Sequence, residues 1–155
     1  NIPNNVYFIG TMNEIDFSLE RVDFALRRRF VWEYCGYTKD VLKNIVKRKV
    51  SEIIDDNKID DFVSSCTKLN EKIGEVLGES YHIGHAFFAE IANIHKQVND
   101  LEEEKDKWKY SKKVLWDISI KPTLDAYCGT MDSGLKEKYL GKKNNNGDFY
   151  TAFFG

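Results

Sequence analysis

Between Thr38 and Gly78 the apolar residues recur every three or four positions, and that period leaves little choice about what the segment becomes. Leu42, Ile45, Val46, Val50 and Ile53 share one face of a helix. Ile59, Phe62, Val63, Cys66, Leu69, Ile73, Val76 and Leu77 share one face of a second, with Gly78 placed to close it. Helices apolar on one side bury that side only against other elements, so a helical bundle is expected from Thr38 onward. Further along, a helix is predicted over Tyr110 to Lys121, Pro122 should kink or restart it, and "TLDAYCG" ends the element at Gly129. A short helix is expected near Asp132 to Leu140, followed by the polar loop "GKKNNNGDF". The charged run "NDLEEEKDKWK" reads as a solvated helix end or loop.

Ahead of Thr38 the pattern differs. "VYFI" (Val6 to Ile9) is apolar throughout without alternation, which suits a strand covered on both faces, as in a parallel sheet. Gly10 follows, and then Leu19, Val22 and Leu26 fall on one helical face, with Asp16 or Ser18 as candidate N-cap. "FVWEYCGY" reads as a second strand. Strand, helix and strand in about 30 residues is the size of a βαβ unit. The expected fold is therefore an α/β fragment over residues 1–36 joined to an all-α bundle over residues 37–155. The first part is too small to be a complete domain, and the chain begins at Asn1 without Met, so an internal fragment of something longer is expected.

Ten Phe, eight Tyr and three Trp in 155 residues argue for a packed interior. A net charge of −2 gives no general pull toward nucleic acid or acidic membranes. Its distribution is uneven: residues 1–50 hold nine Lys/Arg against six Asp/Glu, and the remainder fourteen against nineteen. Cys35, Cys66 and Cys128 form no CxxC, and with His82, His85 and His95 they make no zinc spacing, so no metal site is expected. Reduced thiols in a cytoplasmic protein are the reading they favour. No apolar run approaches the roughly 18 residues of a membrane span, and no signal peptide is visible.

The chemistry points to Asn13 and to Arg27, Arg28 and Arg29. In open parallel α/β sheets ligands sit beyond the carboxyl ends of the strands, where Asn13 is expected; its amide can orient a water and touch a phosphate oxygen. The arginines follow a helix of about ten residues, so roughly 15 Å separates them from Asn13 and one phosphate cannot receive both. A ring resolves this, each subunit's arginines reaching the next subunit's site. Alternatives stay open. Arg27 to Arg29 also suit a cationic helix end, with Arg27 the candidate for a salt bridge inside the subunit and Asp23 a partner for a nearby Arg. Asp16 suits a helix cap. His85 follows a glycine and either approaches phosphate at a helix start or packs structurally. Phe87, Phe88 and Trp116 are expected in the core.

At these residues the chain resembles a known family. "IGTMNEID-FSLERVDFALRRRF" is similar to the segment from sensor 1 to the arginine fingers in McrB-type AAA+ NTPases, the GTPase subunits of modification-dependent restriction systems. "HIGHAFF" (His82 to Phe88) resembles that family's RIGHSYF in the lid, and "LWDISIKPTLDAY" resembles a later lid helix. The resemblance implies that Asn13 is the sensor 1 residue positioning the attacking water and contacting nucleotide. It implies Arg28 and Arg29 as arginine fingers, and His85 as a lid residue near the nucleotide. It further implies GTP or ATP with Mg²⁺ in the intact protein, a homo-oligomeric ring, an McrC-like endonuclease partner and DNA acted on by the assembly. The chain departs from the family pattern at Phe17 and His82, which stand where it has Arg, and at Glu14 and Ile15. No GxxxxGK[ST] and no acidic Walker B strand are present, so these 155 residues alone are expected to be inactive. The competing expectation is a non-catalytic interaction or DNA-binding module that keeps the scaffold.

Overall fold

The computed structural model describes residues 3, 5–11, 25, 28–100, 106–129, 134, 137 and 153–154. It divides into two units, Asn1–Tyr34 and Cys35–Gly155. The second is helical: α1 (Lys39–Val50), α2 (Asp56–Leu77), a 3₁₀ turn (Glu79–Tyr81), α3 (His85–Ala89), α4 (Ile91–Asn99), α5 (Lys107–Leu115), a π turn (Trp116–Ile120) and α6 (Lys121–Cys128). The helical bundle expected after Thr38 is present.

Helix α1 buries Leu42, Val46 and Val50 against α2, and its basic last turn, Lys47 to Lys49, complements the helix dipole. Ile53 lies past its end and is exposed; Ile54 enters the core instead. Asp55 caps α2 by accepting the Asn57 N–H at 2.8 Å, and Gly78, at φ 99°, ends it where a side chain would be strained. The buried stripe of α2 runs Ile59, Phe62, Val63, Cys66, Leu69, Asn70, Ile73. Lys43 to Asp60 and Lys47 to Asp56, both at 2.6 Å, set which turns of α1 and α2 face each other.

The later helix begins earlier than its apolar pattern predicts, at Lys107, because the Asp106 carboxylate accepts the Lys109 N–H at 3.1 Å. At Pro122 the α-helix restarts, as expected. The π turn ahead of Pro122 widens the helix where the proline ring would meet a carbonyl, and Pro122 falls in the first turn of α6. The Thr123 hydroxyl donates to the Ser119 carbonyl at 2.8 Å. Gly129 closes α6, as expected. Residues 101–105 and most of 130–152, where a solvated run, a short helix and a polar loop are expected, lie outside the described residues.

Phe88 and Trp116 are buried as expected, but Phe87 is 48% exposed. Phe154 is buried against Phe62 and Trp116, and its carbonyl accepts the Lys112 ammonium at 2.8 Å.

In the first unit, the strand pairing expected at "VYFI" and at "FVWEYCGY" is absent among the described residues. A ladder needs a second strand facing the first, and none is present among them. Tyr7 (87% exposed), Ile9 (95%) and Val31 (99%) present their side chains outward.

Two helices of the second unit share a polar contact inside the core. His95 on α4 is 2% exposed; its Nδ1 lies 2.9 Å from the Ser111 hydroxyl on α5, and its ring meets Trp108 edge-on. Ser111 donates to the Lys107 carbonyl at 2.7 Å, so it accepts from a neutral His95 carrying its proton on Nδ1. Burial depresses the His95 pKa below its ordinary 6.5, with the Lys107 and Lys58 charges acting in the same direction and the Lys107 backbone opposing. The unfolded chain therefore binds the proton more readily than the native one. Stability is full above about pH 6.5 and falls as pH drops toward the depressed native value. Urea unfolding at pH 7.5 and 5.5 should show this acid-dependent loss in the natural chain and a smaller one in His95→Gln. An equal loss in both would place the sensitivity elsewhere.

Candidate functional site

Of the sequence-predicted site residues, Asn13 lies outside the described residues, as do Asp16, Phe17, Asp23 and Arg27. Arg28 and Arg29 lie in a turn of the first unit, exposed, and no ion pair is drawn to either among the described residues. An exposed guanidinium presents a planar fork of donors suited to an anion.

The motif His82 to Phe88 belongs to the second unit and can be built residue by residue. Ile83 is buried, and its backbone is held by the side chain of Asn70, itself 1% exposed. The Ile83 N–H donates to Asn70 Oδ1 at 2.8 Å and the Asn70 amide donates to the Ile83 carbonyl at 3.0 Å. Asn70 thus does what a neighbouring strand would do. His82 Nε2 lies 2.7 Å from where a Cβ on Gly74 would stand, so the absence of a side chain there lets the ring lie on α2.

His85 starts α3. Its ring stacks on Tyr37, centroids 5.2 Å apart, and its Nε2 lies 2.8 Å from the Thr38 backbone nitrogen. Phe88 meets the same Tyr37 edge-on at 5.9 Å. Thr67 donates to the Val63 carbonyl at 2.9 Å, so the Tyr37 hydroxyl donates to Thr67 at 2.9 Å. Burial pushes the Tyr37 pKa up to about 12, against the pull of the Thr67 bond, so the phenol remains a donor. Sequence reasoning singled out His82 and His85 but missed Tyr37, Thr67 and Asn70. The signal for Asn70 was available: a polar amide inside the apolar stripe of a helix requires a buried partner.

Among the described residues no group of three or more His, Cys, Asp or Glu is arranged to hold a metal, and no helix is long and apolar enough to cross a membrane.

An expectation of an NTPase-type restriction protein can be set beside known proteins at this point. The chain is 38% identical over 96 residues to the type IV methyl-directed restriction enzyme EcoKMcrB subunit of Escherichia coli (strain K12). That stretch is 56% of this chain and 19% of the relative, so the chain spans about a fifth of that protein's length. Over it the chain is McrB-like, and the resemblance drawn from the motifs holds. No protein-family model matches the chain. No solved structure matches it.

The weight on Asn70 is measurable. Asn70→Ala leaves the buried N–H and C=O of Ile83 without partners, each costing about 1–3 kcal/mol. A loss of about 2–4 kcal/mol should appear as a lower urea midpoint at unchanged slope. A loss below about 1 kcal/mol would mean that water replaces the amide.

Proposed function

We propose that this chain is the C-terminal part of an AAA+ nucleoside triphosphatase of the McrB type. Residues 1–36 are the last portion of its α/β core and residues 37–155 its helical lid. The similarity to the McrB subunit carries the reading. Two features support it: a second unit that is a helical bundle, and a first unit whose apolar residues at Val6 to Ile9 and at Val31 stand exposed. Side chains of that kind, in runs without alternation, suit strands that complete a sheet covered on both faces.

On this reading the ligand is GTP or ATP, with Mg²⁺, in the intact protein. The exposed guanidiniums of Arg28 and Arg29 fit a phosphate; for His85 the fit is poorer, since its Nε2 is already engaged by Thr38. When bound, the nucleotide supplies the phosphoanhydride that is hydrolysed. Asn13 orients the water, and the two arginines neutralise charge on the terminal phosphate of a neighbouring subunit in a homo-oligomeric ring. The relative is named as a subunit of a restriction enzyme. By that likeness the partner is an McrC-like endonuclease and the assembly acts on DNA in the cytoplasm.

Two measurements on the full-length protein test this. Asn13→Ala should lower kcat strongly at nearly unchanged nucleotide affinity, because water positioning counts mainly in the transition state. Equal losses in both would make Asn13 a binding or folding residue.

The arginines are tested by mixing. Full-length protein carrying Arg28→Ala and Arg29→Ala should lose about 10³–10⁵ in kcat. A second variant lacking its P-loop Lys should be inactive for the opposite reason. Rings containing both pair an intact nucleotide cradle with intact arginines, so part of the activity should return. Mixed rings verified by sizing and still inactive would make Arg28 and Arg29 intrasubunit or DNA-contacting residues, the outcome for a non-catalytic module.

A further inference from the structure

Residues 37 and 38 are where the chain enters α1, three and four positions after the boundary between the two units. The first N–H groups of a helix have no partner within it, and the side chain of Thr38, the N-cap of α1, makes no capping bond. His85 supplies the missing acceptor from 47 residues away, taking the Thr38 N–H on Nε2 at 2.8 Å. The Thr38 carbonyl, which also accepts the Leu42 N–H at 3.2 Å, lies 3.0 Å from the same nitrogen, so the Thr38 N–H makes the shorter of the two contacts. The arrangement is satisfied by a neutral ring with its proton on Nδ1, so that Nε2 accepts. The stack of His85 on Tyr37 and the Tyr37–Thr67 bond tie the preceding residue to α2. On the other side of the motif, Asn70 fixes Ile83 to α2 as well.

From this geometry we infer that His85 is a positioning residue: with Tyr37 it braces residues 37 and 38, the entry to α1, against α2 and the start of α3. It does so without contacting phosphate. The inference rests on the proposed NTPase reading for its consequence, which is that the brace keeps the entry to the helical unit in place during turnover. The brace itself stands on the contacts of the second unit alone.

Two polar replacements separate a brace from a ligand. Glutamine extends about as far as Nε2 and can accept the Thr38 N–H; asparagine reaches only to the Nδ1 position. In the full-length protein, His85→Asn and His85→Ala should speed amide exchange at Thr38 roughly fivefold, the worth of one hydrogen bond, while His85→Gln stays near the natural rate. His82→Ala, in the same motif but without a bond to Thr38, should leave that amide alone. In turnover assays His85→Ala should lower kcat with KM and nucleotide affinity unchanged, and His85→Gln should restore it. Unchanged exchange at Thr38 in His85→Ala overturns the inference. So does raised KM at constant kcat, or rescue by Asn in place of Gln, since either assigns His85 to the nucleotide. Should the natural protein hydrolyse no nucleotide, the NTPase reading fails, and the exchange rates still decide the brace.

Discussion

The amide of Asn70, closed on both backbone groups of Ile83, is the contact on which the arrangement of the second unit turns. A connecting segment can cross the buried face of a helix only if its N–H and C=O find partners there, since leaving them bare costs more than the apolar contacts return. One side chain with a donor and an acceptor at fixed separation meets both demands. With Ile83 pinned, His82 falls on Gly74 and the following turn carries His85 to the start of α1. The motif is thus held at its centre by α2.

The buried polar residues described in this unit, Asn70, His95 and Ser111, each have a partner. Asn70 serves Ile83, while His95 and Ser111 serve each other and the Lys107 carbonyl. Such pairs add little net stability but make wrong packings expensive, because any shift of α4 along α5 separates His95 from Ser111. Apolar contacts alone, such as those of Leu42 and Val46 on α2, tolerate sliding far better.

What could be read in advance follows from how locally each feature is encoded. The stripes of α1 and α2 and the glycines at 78 and 129 were legible because each is decided by neighbours in sequence. The early start at Lys107 was not: the apolar period begins later, and the deciding bond runs from Asp106 to a backbone N–H. That Pro122 kinks or restarts the helix is legible because its local effect is known, whereas the π turn ahead of it is a property of the whole helix. Phe87 and Phe88 read alike as core in the sequence, yet within α3 only Phe88 turns inward and Phe87 is left out. For the site, sequence singled out the motif at 82–88 but not what it touches. Tyr37 and Thr38 lie 47 or more residues before their partner, and no local pattern joins them.

The two units differ in a way that bears on how their functional residues are held. The second carries its own core, from Leu42 to Cys128 with Phe154, so His85 is fixed by contacts within the unit. In the first, Tyr7, Ile9 and Val31 stand almost fully exposed, an arrangement that a soluble protein keeps only where another surface covers it. At about 25 cal/mol per Å² of apolar surface, covering such side chains is worth several kcal/mol, enough to set the direction of a short segment. On the proposed reading the cover is the rest of an α/β core. On that reading the orientation of Arg28 and Arg29 depends on the packing of the α/β core, while that of His85 is set by contacts within its own unit.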